Sequence, residues 1–117
     1  MTLRLSAILA VFCVTAPAGA EAARDRPDDP LFGAYYEFEV AQTCGLATPE
    51  ARRGFARAIA DLLAARPYSE LRHRRLRHRA WIEAEWEWHN RGLGGNRAWC
   101  ETDGEAAKRR FEGYGRP

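Results

Sequence analysis

Apolar residues recur along this chain at helical spacing, and no stretch shows the apolar–polar alternation of a half-buried strand. From about Pro30 to Cys44, Phe32, Tyr36, Val40 and Cys44 return every fourth residue, while Leu31, Phe38 and Ala41 occupy another side. Apolar groups around so much of the circumference predict a central, largely buried helix. Asp29 offers an N-cap acceptor before Pro30, and Gly45 is a stop signal. Thr48-Pro49-Glu50 repeats the start signal. The second helix should run to about Arg66, with Ala51, Phe55, Ala58, Ile59, Leu62 and Leu63 as one apolar face, and Pro67 ends it.

Ser69 can cap a third helix reaching about Arg91. Its first half, ELRHRRLRHR, carries Arg72, Arg74, Arg75, Arg77 and Arg79 with His73 and His78. Its second half, AWIEAEWEWHN, sets three tryptophans among glutamates. Trp81, Ala84 and Trp88 share one side, with Ile82 and Trp86 nearly opposite, so this half should lie between other helices. The Gly92-Leu93-Gly94-Gly95 turn follows, with Gly92 as the stop and Leu93 as its apolar contact. Asn96 can cap a fourth helix to about Gly113, with Trp99, Ala106, Ala107, Phe111 and Tyr114 as its apolar groups. Gly104 is a weak point, and the capping-box spacing of Thr102 and Glu105 allows a start near Asp103 instead. The expected fold is all-α: a small four-helix bundle of residues 30–114 in one domain.

The first twenty residues read differently. Arg4 is their only charge, an apolar run extends from Leu5 to Val14, Pro17 breaks it, and Ala18-Gly19-Ala20 has the small-x-small pattern of a leader cleavage site. The run is shorter than the roughly 20 residues needed to span a bilayer. Cys13 follows Phe12, where lipidation requires a small residue. Residues 1–20 are therefore read as a signal peptide cut before Glu21, and the protein as periplasmic or secreted, with no transmembrane segment in the mature chain. Residues 21–29, EAARDRPDD, lack large apolar groups and read as a disordered mature N-terminus.

Export changes how the cysteines are read. The mature chain keeps Cys44 and Cys100, and in an oxidising compartment a single bridge is their only pairing. Closing a loop with a separation of 56 residues stabilises by roughly 4 kcal/mol on chain entropy alone. The competing reading is two free buried thiols. Taking Arg4 from the 18 basic residues leaves 17 against 16 acidic, so net charge points to neither nucleic acid nor a membrane. Lys108 is the only lysine, a bias that base composition can produce without selection for guanidinium chemistry.

The Arg72–Arg79 run is the most unusual stretch. Guanidinium groups grip phosphate or carboxylate bidentately, and Arg72, Arg75 and Arg79 cluster on one side at 3- and 4-residue spacings, making them the candidate anion-binding residues. Against this, the charges go all round the helix, and Glu70–Arg74, Arg79–Glu83 and Glu87–Arg91 have the i,i+4 spacing for local pairs. The tryptophans could stack on sugars or anchor a partner, but in so small a domain they supply core volume; Trp86, between Glu85 and Glu87, is the one expected to be exposed. Glu83 and Glu87 look exposed as well.

His78, Glu85 and His89 share a stripe, but His78 stands about 10 Å along the axis from Glu85. No HExxH or CxxC occurs, so no metal or other cofactor is expected. The mature chain's only serine, Ser69, suits a cap, and no catalytic constellation stands out, so an enzyme is not expected.

The segments Tyr35-Tyr36-Glu37-Phe38-Glu39-Val40, Cys44-Gly45-Leu46 with Thr48-Pro49, and Asn90-Arg91-Gly92-Leu93-Gly94-Gly95 with Ala98-Trp99-Cys100 together resemble short exported proteins of unknown function from Gram-negative bacteria, over about residues 31–111. That resemblance implies no activity. One disulfide in a small exported helical domain is also similar, in architecture alone, to periplasmic acid-stress chaperones. The leading expectation is a non-enzymatic accessory or protein-binding module whose partner is another envelope protein. The alternatives are a binder of anionic envelope components through Arg72–Arg79 and an acid-stress chaperone.

Overall fold

A computed structural model describes residues 26–92 and 94–117. The leader expected over residues 1–20, and the contact expected of Leu93, lie outside the described residues. The elements are α1 (Pro30–Thr43), α2 (Pro49–Ala65), α3 (Glu70–His89), α4 (Arg97–Trp99), a π-helical turn (Cys100–Gly104) and α5 (Glu105–Gly115). The described residues contain helices and no strand, as the periodicity predicts.

Three of the four expected caps form. Asp29 accepts from the Leu31 amide, Thr48 from Ala51 and Ser69 from Arg72. At the end of α1, Gly45 takes a φ of +71°. Its amide reaches the Gln42 carbonyl and that of Leu46 reaches Ala41, closing the helix with a left-handed residue that costs glycine little. Asn96 makes no capping bond; its Oδ1 is buried without a hydrogen-bond partner. The expected fourth helix runs through Arg97–Gly115 as α4, the π turn and α5, with right-handed backbone at both junctions. The alternative start at Asp103 is not used, because Thr102 spends its hydroxyl on the Ala98 carbonyl one turn back.

α1 is the central element. Leu31, Phe32, Ala34, Tyr35, Phe38, Val40 and Ala41 are all buried, against α3 on one side and α2 and α5 on the other. Phe38 stacks on Phe55 of α2 with centroids 3.9 Å apart, and Phe111 of α5 meets both rings edge-on. Tyr35 meets Phe55 edge-on at 5.5 Å, joining this cluster to the one around Leu31, Phe32, Leu76 and Ala80.

α2 and α5 make the closest helix pair. Gly54 is buried so tightly against α5 that a β-carbon there would stand 1.7 Å from the Phe111 carbonyl oxygen. Cys44 and Cys100 lie at disulfide distance, 2.05 Å between sulfurs and 5.4 Å between α-carbons, tying the end of α1 to the start of the π turn. Gly104 sits beside this bridge, where a β-carbon would lie 3.1 Å from the Cys44 sulfur. That close approach accounts for a glycine inside the helix.

Three expectations fail where local pattern meets packing. Glu83, read as exposed, is fully buried beneath Arg79 and Arg26. Trp81, rather than Trp86, is the exposed tryptophan, at 48%. Finally, Arg26–Asp29, the end of the stretch read as disordered, are tied to the bundle. Arg26 bonds Glu87 at 2.7 Å and lies over the Tyr36 ring, while Asp29 is buried.

Candidate functional site

α3 turns Leu76, Ala80, Glu83 and Ala84 inward, and this divides its arginines between two flanks. On one flank stand Arg72, Arg75 and Arg79. Arg72 donates to Asp29 Oδ2 at 3.1 Å, and Arg66 approaches the same oxygen at 3.8 Å. Asp29 also receives the Tyr68 hydroxyl at 2.7 Å and the Leu31 amide at 2.9 Å. Burial alone would push this carboxyl up. The hydrogen bonds from Tyr68, Leu31 and Arg72, with the charge of Arg72, outweigh it and hold Asp29 below its ordinary value.

Arg79 bonds Glu83 at 3.2 Å, and Arg26 approaches the other Glu83 oxygen at 3.7 Å. Arg91 pairs with Glu87 at 2.8 Å. Two of the three sequence-derived candidates thus neutralise buried carboxylates and hold the fold. Arg75 is exposed, beside an open depression of about 410 Å³ lined by Ser69, Leu71, Arg72 and Leu76.

The other flank carries a different set. Arg74, Arg77, His78 and Trp81 follow at helical spacing and face Glu39 of α1 across an open hollow of about 270 Å³. The His78 ring stacks on Trp81 with centroids 5.9 Å apart. Arg77 lies over the Tyr35 ring at 5.9 Å, and the Tyr35 hydroxyl is 2.6 Å from His73 Nε2. Burial pushes Tyr35 up, opposed by the Arg77 charge. Glu39 is half-buried; desolvation pushes its carboxyl up, Arg77 opposes this and Glu85 adds to it. Among the described residues Arg74, Arg75 and Arg77 make no ion pair within 4 Å. The local Glu70–Arg74 pair that the spacing allows is not formed.

A second, more apolar groove of about 360 Å³ lies between α1 and α5, lined by Gly33, Tyr36, Val40 and Ala107 and rimmed by Asp103 and the Glu37–Arg110 pair. Among the described residues no three His, Cys, Asp or Glu side chains converge as metal ligands, and no helix is long and apolar enough to cross a membrane.

This chain matches no protein-family model, no curated protein and no solved structure. What the linear sequence left out is Glu39 and the orientation of Trp81. The i, i+3, i+4, i+7 spacing of Arg74, Arg77, His78 and Trp81 was a readable signal, but choosing that flank over the one of Arg72, Arg75 and Arg79 requires knowing which arginines have buried carboxylates beneath them.

Proposed function

We propose that this chain is a non-enzymatic binding protein of the bacterial envelope, exported to the periplasm or beyond, that engages an anionic partner through the α3 flank of Arg74, Arg77 and Trp81. One observation carries the reading: two neighbouring guanidinium groups, Arg74 and Arg77, have no ion-pair partner among the described residues and stand beside a tryptophan left 48% exposed. Exposed arginine beside exposed aromatic surface is the composition of binding hot spots. The leader-like residues 1–20 and the Cys44–Cys100 pair support an oxidising compartment. N-terminal sequencing of exported protein should begin at Glu21.

The test is retention of the mature chain on an anionic matrix at two salt concentrations. Exposed charges are screened over about 8–10 Å at physiological ionic strength, so retention should fall as salt rises. Reversing Arg74 and Arg77 to glutamate should abolish retention, whereas reversing the exposed Arg53 and Arg109 should change it little. Equal loss from both double variants would reduce the effect to net charge and refute a localised site.

A further inference from the structure

Four groups meet at the hollow between α1 and α3, and their chemistry specifies a ligand more closely than charge does. Arg74 and Arg77 supply only donors, in planar forks that match a carboxylate. Glu39 supplies only acceptors at ordinary pH, and among the described residues it makes no hydrogen bond or ion pair although it is half-buried. Trp81, with His78 stacked against it, is 48% exposed and lends indole surface to the hollow. The complementary ligand carries a carboxylate for the arginines, hydroxyl donors for Glu39 and an apolar ring face for the indole.

We propose that this hollow is a subsite for one uronate unit of an acidic polysaccharide, a reading that rests on the anionic partner argued above. A uronate has all three features in one ring: the carboxylate on one edge, hydroxyls on the others, and the ring's C–H groups on its face. The alternatives match less well. A phosphate or polyphosphate has no ring to place on Trp81, and its dense charge is repelled by Glu39. An acidic peptide can offer backbone N–H donors to Glu39, but its flexible Asp or Glu side chain carries no ring face beside the carboxylate to lie on Trp81. The size agrees. About 270 Å³ lies just below the roughly 300–1,000 Å³ of pockets for drug-sized molecules and suits a single sugar. The hollow is also open, as a polymer passing along the helix surface requires.

Oligogalacturonate and oligomannuronate serve as probes, titrated against the disulfide-intact mature chain by tryptophan fluorescence and calorimetry. The comparison ligands are their carboxyl-reduced counterparts, inorganic polyphosphate and polyglutamate of matched charge. At least one uronate oligomer should bind more tightly than any comparison ligand. Trp81→Ala should weaken it about three- to tenfold, the range expected for loss of an aromatic contact. Trp81→Phe should restore most of the affinity, and both variants should keep the wild-type melting temperature because Trp81 is half-exposed. Polyglutamate or polyphosphate binding as tightly as both uronates, with no dependence on Trp81, would overturn the uronate subsite while leaving an anionic partner standing. No binding of any of the polyanions would overturn both.

Discussion

Replacing Gly54 with alanine tests the packing argument most directly, because the same substitution has opposite expected signs at different glycines. In an unhindered helix interior, glycine to alanine stabilises by about 1 kcal/mol. At Gly54 the added carbon would stand 1.7 Å from the Phe111 carbonyl oxygen and 2.7 Å from the Gly115 nitrogen. Both obstacles are backbone, so no side chain can rotate away. Restoring an ordinary C···O contact of about 3.3 Å requires α2 and α5 to part by roughly 1.6 Å. A gap of even 0.5–1 Å forfeits a quarter to a half of the dispersion energy of facing atoms. That loss would fall on Ala51, Ala58 and Phe111, each at most 2% exposed, and on the Phe38–Phe55–Phe111 ring cluster.

Overpacking of this kind costs typically 1–3 kcal/mol and sometimes more. With rigid backbone on both sides, we expect Gly54→Ala to destabilise by about 3 kcal/mol or more, net of the propensity gain. Gly33→Ala in α1 and Gly113→Ala in α5 meet nothing within 4 Å and should stabilise by about 0.4–1 kcal/mol. Urea unfolding of the disulfide-intact domain, followed by far-UV circular dichroism, measures all three. A Gly54→Ala midpoint at or above wild type would refute the account of the α2–α5 contact.

Cys100→Ala should destabilise by about 2–5 kcal/mol, the usual range for losing a native bridge from a small domain; thiol labelling of unfolded, unreduced residues 21–117 should find no free cysteine. Arg79→Ala strips one cation from the fully buried Glu83; because Arg26 remains nearby, it should cost toward the low end of the ~3–5 kcal/mol expected for breaking a buried pair. Arg75→Ala, in contrast, should shift the urea midpoint by no more than about 0.5 kcal/mol. Asp29 is held below its unfolded value of 3.8, so its contribution is present above that value and is lost as pH falls through the folded one. Asp29→Ala should therefore weaken the protein at neutral pH, by about 1–2 kcal/mol for the lost cap, and flatten the acid limb of the melting-temperature profile. Glu39 has the opposite sign: its carboxyl is raised above 4.5, so its stability contribution is present below 4.5 and lost as pH rises through the raised value. Glu39→Gln should accordingly gain most at neutral pH, and an unchanged profile would show that burial does not disfavour its charge.

Much of the local structure was legible because it depends on neighbours in the chain. A helix start needs an acceptor placed two or three residues before an unpaired amide, and Asp29, Thr48 and Ser69 stand at that offset. A helix stop needs a residue that tolerates positive φ, and Gly45 and Gly92 supply one. The burial of α1 on several sides followed from its apolar spacing, and the cysteine pairing from Cys44 and Cys100 being the two that lie beyond the leader-like residues 1–20. Contacts between helices depend on residues far apart in the chain. Glu83 shares the helical stripe of Leu76, Ala80 and Ala84, but its charge argues for solvent; it is inside because Arg79, one turn away, and Arg26, from across the fold, reach it. Helical spacing placed Arg72, Arg75 and Arg79 on one flank, but that spacing is equally true of Arg74, Arg77 and Trp81 on the other. Which set is left for a ligand depends on where Asp29, Glu39 and Glu83 lie when the helices pack, since a carboxylate buried within hydrogen-bond reach occupies an arginine and one left across an open hollow does not.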